Sequence, residues 1–197
     1  GVLYPTGTMD ADYDDSNIYT VGYRARNLAS FSKELNLDYY YSNVDHPMST
    51  TLRNNGAMQM TNHMKSSIWG TKIKNTTEVA NSLITIGLDT SVRNWRGEYS
   101  NKIRSYINDS IASTDTQNKA IFSKIEKTFG KLDLSLGARY DNTSIDTQDL
   151  TKKDNDYNSL NANIFAIYNV DENMKYFAGI GKSSRVPDAR ELYFKNS

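Results

Sequence analysis

Strict alternation of apolar and polar residues recurs along this chain, and it restricts the fold more than any other feature. Over residues 131–142, Leu132, Leu134, Leu136, Ala138 and Tyr140 fall on one side, while Lys131, Asp133, Ser135, Gly137, Arg139 and Asp141 fall on the other. A period of two residues describes a β-strand with one apolar and one wet face. Leu35, Leu37, Tyr39 and Tyr41 alternate in the same way with Glu34, Asn36, Asp38 and Ser42. So do Ile84, Ile86, Leu88 and Val92, then Leu160, Ala162, Ile164, Ala166 and Tyr168, then Met174, Tyr176, Ala178 and Ile180. Weaker strands fit residues 18–26, 66–76 and 118–129. In the last of these, Ala120 to Lys127 also suits a short helix, because Ala, Lys and Glu are good helix formers. The expected count is about eight strands.

The gaps between strands carry further information. Residues 27–32, 77–81, 130 and 171–173 are short connections, whereas 45–65, 96–117 and 143–156 are long and polar. Short and long therefore alternate. An antiparallel up-and-down transmembrane β-barrel requires this arrangement, with tight turns at one rim and long loops at the other. A soluble sandwich keeps most of its loops short. Many of the tyrosines, among them Tyr19, Tyr23, Tyr39, Tyr40, Tyr41, Tyr99, Tyr140, Tyr157, Tyr168, Tyr176 and Tyr193, stand near expected strand ends. Membrane barrels place amphipathic rings there, at headgroup level, although tyrosine is also common in strands generally. Two rivals remain at this point. One is a soluble β-sandwich binding module, and the other is a complete eight-stranded membrane barrel serving as an adhesin or anchor.

Composition narrows the functional classes. The 197 residues contain no cysteine, so thiolate metal sites, disulfides and cysteine nucleophiles are excluded within the chain. Lys plus Arg equals Asp plus Glu at 23 each, which leaves no electrostatic footprint for nucleic acid. The mean hydropathy of −0.67 accompanies the absence of any long apolar run, yet a barrel strand needs only alternate positions apolar. Asp10-x-Asp12-x-Asp14 opens like a Ca²⁺ loop, but Asp15 and Val21 stand where that loop needs Gly and Glu. Gly179 and Gly181 lie inside a strand pattern, not before a helix, so they do not read as a phosphate loop. No general acid/base pair stands out, so an enzyme is not expected. The opening Gly1-Val2-Leu3-Tyr4-Pro5 has no signal-peptide layout, which reads as a mature or excised piece.

Two blocks carry a family resemblance. The stretch Gly181-Lys182-Ser183-Ser184-Arg185-Val186-Pro187-Asp188-Ala189-Arg190-Glu191-Leu192-Tyr193 resembles the Gly-x-Ser-x-Arg-x-Pro-x-x-x-Glu-Leu-Tyr block of TonB-dependent outer-membrane receptors. The run from Tyr13 to Arg24, continued by Leu35 to His46, is similar to a strand pair of the copper-receptor branch of that family. The resemblance implies a barrel of about 22 strands with a plugged lumen. About eight strands would then make residues 1–197 an internal portion of the barrel, without the N-terminal plug domain. The C-terminal Lys195-Asn196-Ser197 lacks the aromatic finish of a last barrel strand. The implied setting is the outer membrane of a Gram-negative bacterium. The implied partners are outer-membrane lipid, the plug, the TonB energy-coupling complex that acts through it, and a metal or metal complex. In this motif Arg185, Pro187, Glu191, Leu192 and Tyr193 have a structural role, with Arg185 and Glu191 placed to pair.

Both histidines and four of the six methionines fall in one window: His46, Met48, Met58, Met60, His63 and Met64. Thioether sulfur is a soft ligand that favours Cu(I), and imidazole accepts copper in either state. Methionine also serves simply to fill gaps in packing. Within the resemblance, His46-Pro47-Met48 matches the His-x-Met pair that the barrel contributes in copper receptors, where the plug supplies a Cys and a Met. His46 and Met48 are therefore the leading candidates, and Met58, Met60, His63 and Met64 are secondary. The expected function is uptake of a metal or metal complex, with copper as the transported ligand and no resident cofactor. A siderophore or haem receptor of the same family is the alternative.

Overall fold

The computed structural model describes residues 9–52, 59–103 and 106–195. It is a single antiparallel sheet of nine strands. In chain order these are β1 (Asp10–Ala11), β2 (Asp15–Ala29), β3 (Ser32–Ser49), β4 (Met60–Val79), β5 (Ser82–Asn101), β6 (Tyr106–Phe129), β7 (Leu132–Thr147), β8 (Asn155–Asn169) and β9 (Lys175–Lys182), followed by one helical turn, α1 (Ala189–Tyr193). From β2 onward each strand pairs with the next. The short β1 also pairs with β3, continuing the line of β2 past Asp12–Asp14. Each of the eight segments read from the sequence, clear or weak, therefore corresponds to one strand. β2 and β9 have one neighbour each, so the sheet is open among the described residues. That disposes of the complete eight-stranded barrel.

The registers place every apolar set on one face. Tyr23, Leu37, Ile73, Leu88, Ile121, Tyr140 and Leu160 are consecutive cross-strand partners. Ile125, Leu136, Ile164 and Ile180 form a second such row. These side chains are exposed; Leu88 retains 55% and Ile180 75% of its accessible surface. A soluble sandwich would bury this face against a second sheet, and no second sheet covers it among the described residues. A continuous apolar face this large exceeds what a water-soluble monomer leaves uncovered. Tyr19, Tyr41 and Trp69 adjoin in register toward one end of the band, and Tyr168 and Tyr176 adjoin at the other. By contrast Tyr40, Tyr99, Tyr157 and Tyr193 belong to the opposite, polar face, so only part of the tyrosine set matches a girdle. Tyr40 pairs with Gly70, Tyr99 packs on Phe194, Tyr157 packs against the buried cluster and Tyr193 lies within it.

Local chemistry accounts for the tight rim. Ala80 and Asn81 both have positive φ, 48° and 57°, between the paired residues Val79 and Ser82. Two left-handed central residues make a type I′ hairpin, whose twist matches that of the strands. Gly130 (φ 60°) supplies the left-handed residue between Phe129 and Leu132. At the β8–β9 turn Asp171 Oδ1 accepts hydrogen bonds from the Asn173 and Met174 amides at 2.8 and 3.0 Å.

The opposite rim differs from the sequence reading. Half or more of each long gap is strand: β3 reaches Ser49 and β4 begins at Met60, β5 reaches Asn101 and β6 begins at Tyr106, and β7 reaches Thr147 with β8 beginning at Asn155. Polar residues on both faces hid this continuation, because alternation vanishes where neither face is apolar. A 20-residue strand such as β4 runs about 65 Å, which overshoots a lipid-facing band about 25 Å tall. The helix considered for Ala120–Lys127 is also strand, since pairing along both edges with β5 and β7 overrides a weak helical preference.

Candidate functional site

The polar face is lined by charged and amide side chains that bond to one another, with Asn118 Oδ1 left without a hydrogen bond. Arg139 donates to Asp141 (2.9 Å) and to Asp89 (3.1 Å), and Lys72 lies 3.6 Å from Asp89. Asn118 and Asn161 both donate to Asp141. Arg139 and Asp141 thus stand on the wet face read from the sequence; Asp133 accepts separately from Thr128 and Asn169, and Lys131 sits in the turn and donates to the Val170 carbonyl. Glycines on this face make room for partners. A Cβ on Gly87 would strike the Phe122 ring, and one on Gly70 would strike Tyr40.

The metal-candidate window is not one loop. His46 and Met48 lie on β3, while Met60, His63 and Met64 lie on β4; Met58 lies outside the described residues. His46 pairs in register with Met64, Met48 with Asn62, and Pro47 with His63. His46, Met48, Met60 and Met64 therefore share the polar face, and His63 points to the other side. There His63 pairs with Asp45, which also holds Lys65 at 3.1 Å. Met64 is buried, its sulfur 3.6 Å from Ser110 Oγ, whose proton goes to Asn62 Oδ1 at 2.8 Å. Gly97 permits this, because a Cβ there would collide with the Met64 sulfur and Ser110 Oγ. His46 Nδ1 is enclosed without a hydrogen-bond partner, 3.6 Å from Asp14 Oδ2. No cluster of three or more His, Asp or Glu ligands occurs among the described residues. What the polar face offers is imidazole plus thioether, with neighbouring same-face positions about 6.7 Å apart along a strand.

The family-motif residues form a compact hook on the same face. Arg185 grips Glu191 with two hydrogen bonds of 2.7 and 3.0 Å, which holds the Glu191 carboxyl below its ordinary value. Glu191 also accepts from the Asp188 amide, and Asp188 caps α1. This is the capping box that Asp188-x-x-Glu191 encodes, a signal readable in the sequence. Pro187 precedes the cap. Ala189 and Tyr193 are buried with Met64, Ile111 and Ile145, and Leu192 packs alongside. The Tyr193 hydroxyl donates to the Lys153 carbonyl (2.8 Å) and accepts from Asn155 (2.6 Å).

The family model described as TonB dependent receptor-like, beta-barrel matches residues 3–196. No curated protein matches the chain. Among solved structures, the chain resembles the copper transporter OprC with a TM-score of 0.79 at 15% identity, over 92% of this chain and 32% of that one. The FrpB iron transporter from Neisseria meningitidis (F3-3 variant) gives 0.67 at 16% identity, over 90% and 30%. The ferric citrate transporter FecA in its unliganded form gives 0.64 at 12%, over 84% and 27%. At such identities the likeness is one of fold, and the chain spans a third or less of those structures.

Proposed function

The chain belongs to the TonB-dependent receptor-like β-barrel family, and from that premise we propose that it forms part of the barrel wall of an outer-membrane receptor that takes up copper. In this reading the apolar face of Leu37, Leu88, Leu136 and Ile164 meets lipid in the outer membrane of a Gram-negative bacterium. The polar face lines a lumen occupied by a plug domain, through which the TonB complex supplies energy. One observation carries the copper assignment: His46, Met48 and Met60 share the polar face, with the His46 Nδ1 making no hydrogen bond and standing 3.6 Å from the Asp14 carboxylate. Imidazole and thioether together suit Cu(I), and neither thiolate nor a carboxylate cluster accompanies them here. His63 belongs to the outer face and takes no part. Met64 acts as packing beneath His46.

Cu(I) uptake by the complete receptor tests this, with His46→Ala and Met48→Ala compared to the parent. Loss of high-affinity uptake in both supports the assignment, and unchanged affinity in both removes it. The likeness to FrpB and FecA supports the second reading, an iron-complex receptor. It predicts uptake of a ferric chelate or haem that is indifferent to both substitutions.

A further inference from the structure

The β6–β7 ladder runs from Phe129–Leu132 only as far as Thr114–Thr147, with one more bond from the Gln148 amide to the Ser113 carbonyl. Beyond that point β6 continues to Tyr106 paired with β5 alone. Two register shifts opposite Gly97 mark the departure. The β5–β6 hairpin thus rises past the β7–β8 hairpin with no ladder between them.

The segment from Ser184 to Lys195 crosses this gap. It begins where the Ser184 amide donates to Asn161 (2.7 Å) on β8. Asp188, fixed by the capping box, takes Arg93 of β5 at 3.0 Å. Tyr193 ties to Lys153 and Asn155 at the base of the β7–β8 connection. The Lys195 amide then donates to the Ser110 carbonyl (2.7 Å), on the bare stretch of β6. The Lys195 ammonium reaches Asp149 of the β7–β8 connection at 2.7 Å. Between the segment and the sheet remains a cavity of about 500 Å³ whose lining includes Arg93, Asn118, Asp141 and Asn161.

We infer that residues 184–195 are a strap that couples the β5–β6 hairpin to the β7–β8 hairpin where their ladder has ended. Docked, the strap makes the two hairpin tips move as one body; released, it leaves them independent above Thr114. The inference does not depend on the cargo. It is held by ion pairs, single hydrogen bonds and the apolar cluster that Val186, Ala189, Leu192, Tyr193 and Phe194 form with Met64, Ile111 and Ile145; none of these is a backbone bond of the β6–β7 ladder, so it can detach with that ladder intact.

Spin labels placed by Ile107→Cys and Leu150→Cys in the complete receptor test this. Both side chains are open, at 67% and 99% exposure; this chain has no cysteine of its own, and any cysteine elsewhere in the receptor is replaced by serine in parent and variant alike. The parent should give one narrow distance. Combining Tyr193→Phe, Lys195→Gln and Asp188→Asn should abolish it in favour of a broad distribution, with the heat-modifiability of the barrel retained. An unchanged narrow distance overturns the inference. Broadening that occurs only together with loss of the folded barrel also overturns it. Should the triple variant not assemble, Tyr193→Phe and Lys195→Gln are each read singly by the same criterion, and no broadening in either counts against the strap.

Discussion

Substituting Leu136 with arginine probes which face of the sheet meets lipid. Leu136 stands midway along the apolar row of β7, between its register partners Ile125 and Ile164, and is 41% exposed. An arginine on the lipid face of a barrel costs about 2–4 kcal/mol at the bilayer midplane and about 0–1 kcal/mol near the interfaces. Asn142 lies on the same face six residues further on, about 20 Å along the strand and about 15 Å in height at a tilt of about 40°. Asn142→Arg should therefore cost no more than about 1 kcal/mol. Ser135 is adjacent to Leu136 but on the polar face, in register with Glu126; Ser135→Arg should stay within about 0.5 kcal/mol of the parent. The assay is urea unfolding of the complete receptor refolded into lipid vesicles, at matched slope. For Leu136→Arg, a loss of about 2 kcal/mol means roughly a 30-fold change in the folded-to-unfolded ratio. Equal costs at positions 136 and 142 would refute the depth argument, and equal costs at 135 and 136 would refute the assignment of faces.

Three further outcomes follow from named contacts. Ala80→Gly should stabilise by about 0.5–1 kcal/mol, since relief of a left-handed alanine (about 1–2 kcal/mol) exceeds the added freedom of the unfolded chain; the same urea titration reads it. Gly97→Ala should destabilise by about 1–3 kcal/mol by crowding the Met64 sulfur, and Met64→Ala should recover part of that loss in a double-mutant cycle. Hydrogen exchange at the Lys195 amide should be equally protected at pH 7 and pH 5. The Lys195 ammonium lowers the Asp149 carboxyl and the Arg185 guanidinium lowers that of Glu191. Their contribution is thus complete above the ordinary values of 3.8 and 4.5 and disappears as pH falls through the lowered ones. Loss of protection between pH 7 and 5 would contradict this.

The readable part of the candidate site was chemical. Arg185 and Glu191 paired as their spacing suggested, because six residues bridge a short capped turn. The six-residue soft-donor window looked like one cluster and is divided, since His63 and His46 differ in strand parity relative to their shared register. Parity is set by which residues pair, and pairing between β3 and β4 depends on contacts far apart in the chain. Asp149 and Lys195 were not legible for the same reason: they are 46 positions apart in sequence and meet only because α1 folds back onto β6 and β7.

By itself, the amino-acid order determined the five clearly alternating segments, their apolar and polar faces, and the short turns between strands. Those properties depend on a two-residue period and on local backbone preferences, which act over a few bonds. Strand length beyond the apolar band, the open edges at β2 and β9, and the strap across the β6–β7 gap were decided by tertiary structure. Each depends on hydrogen bonds between residues far apart in sequence, whose partners are selected by the assembled sheet as a whole.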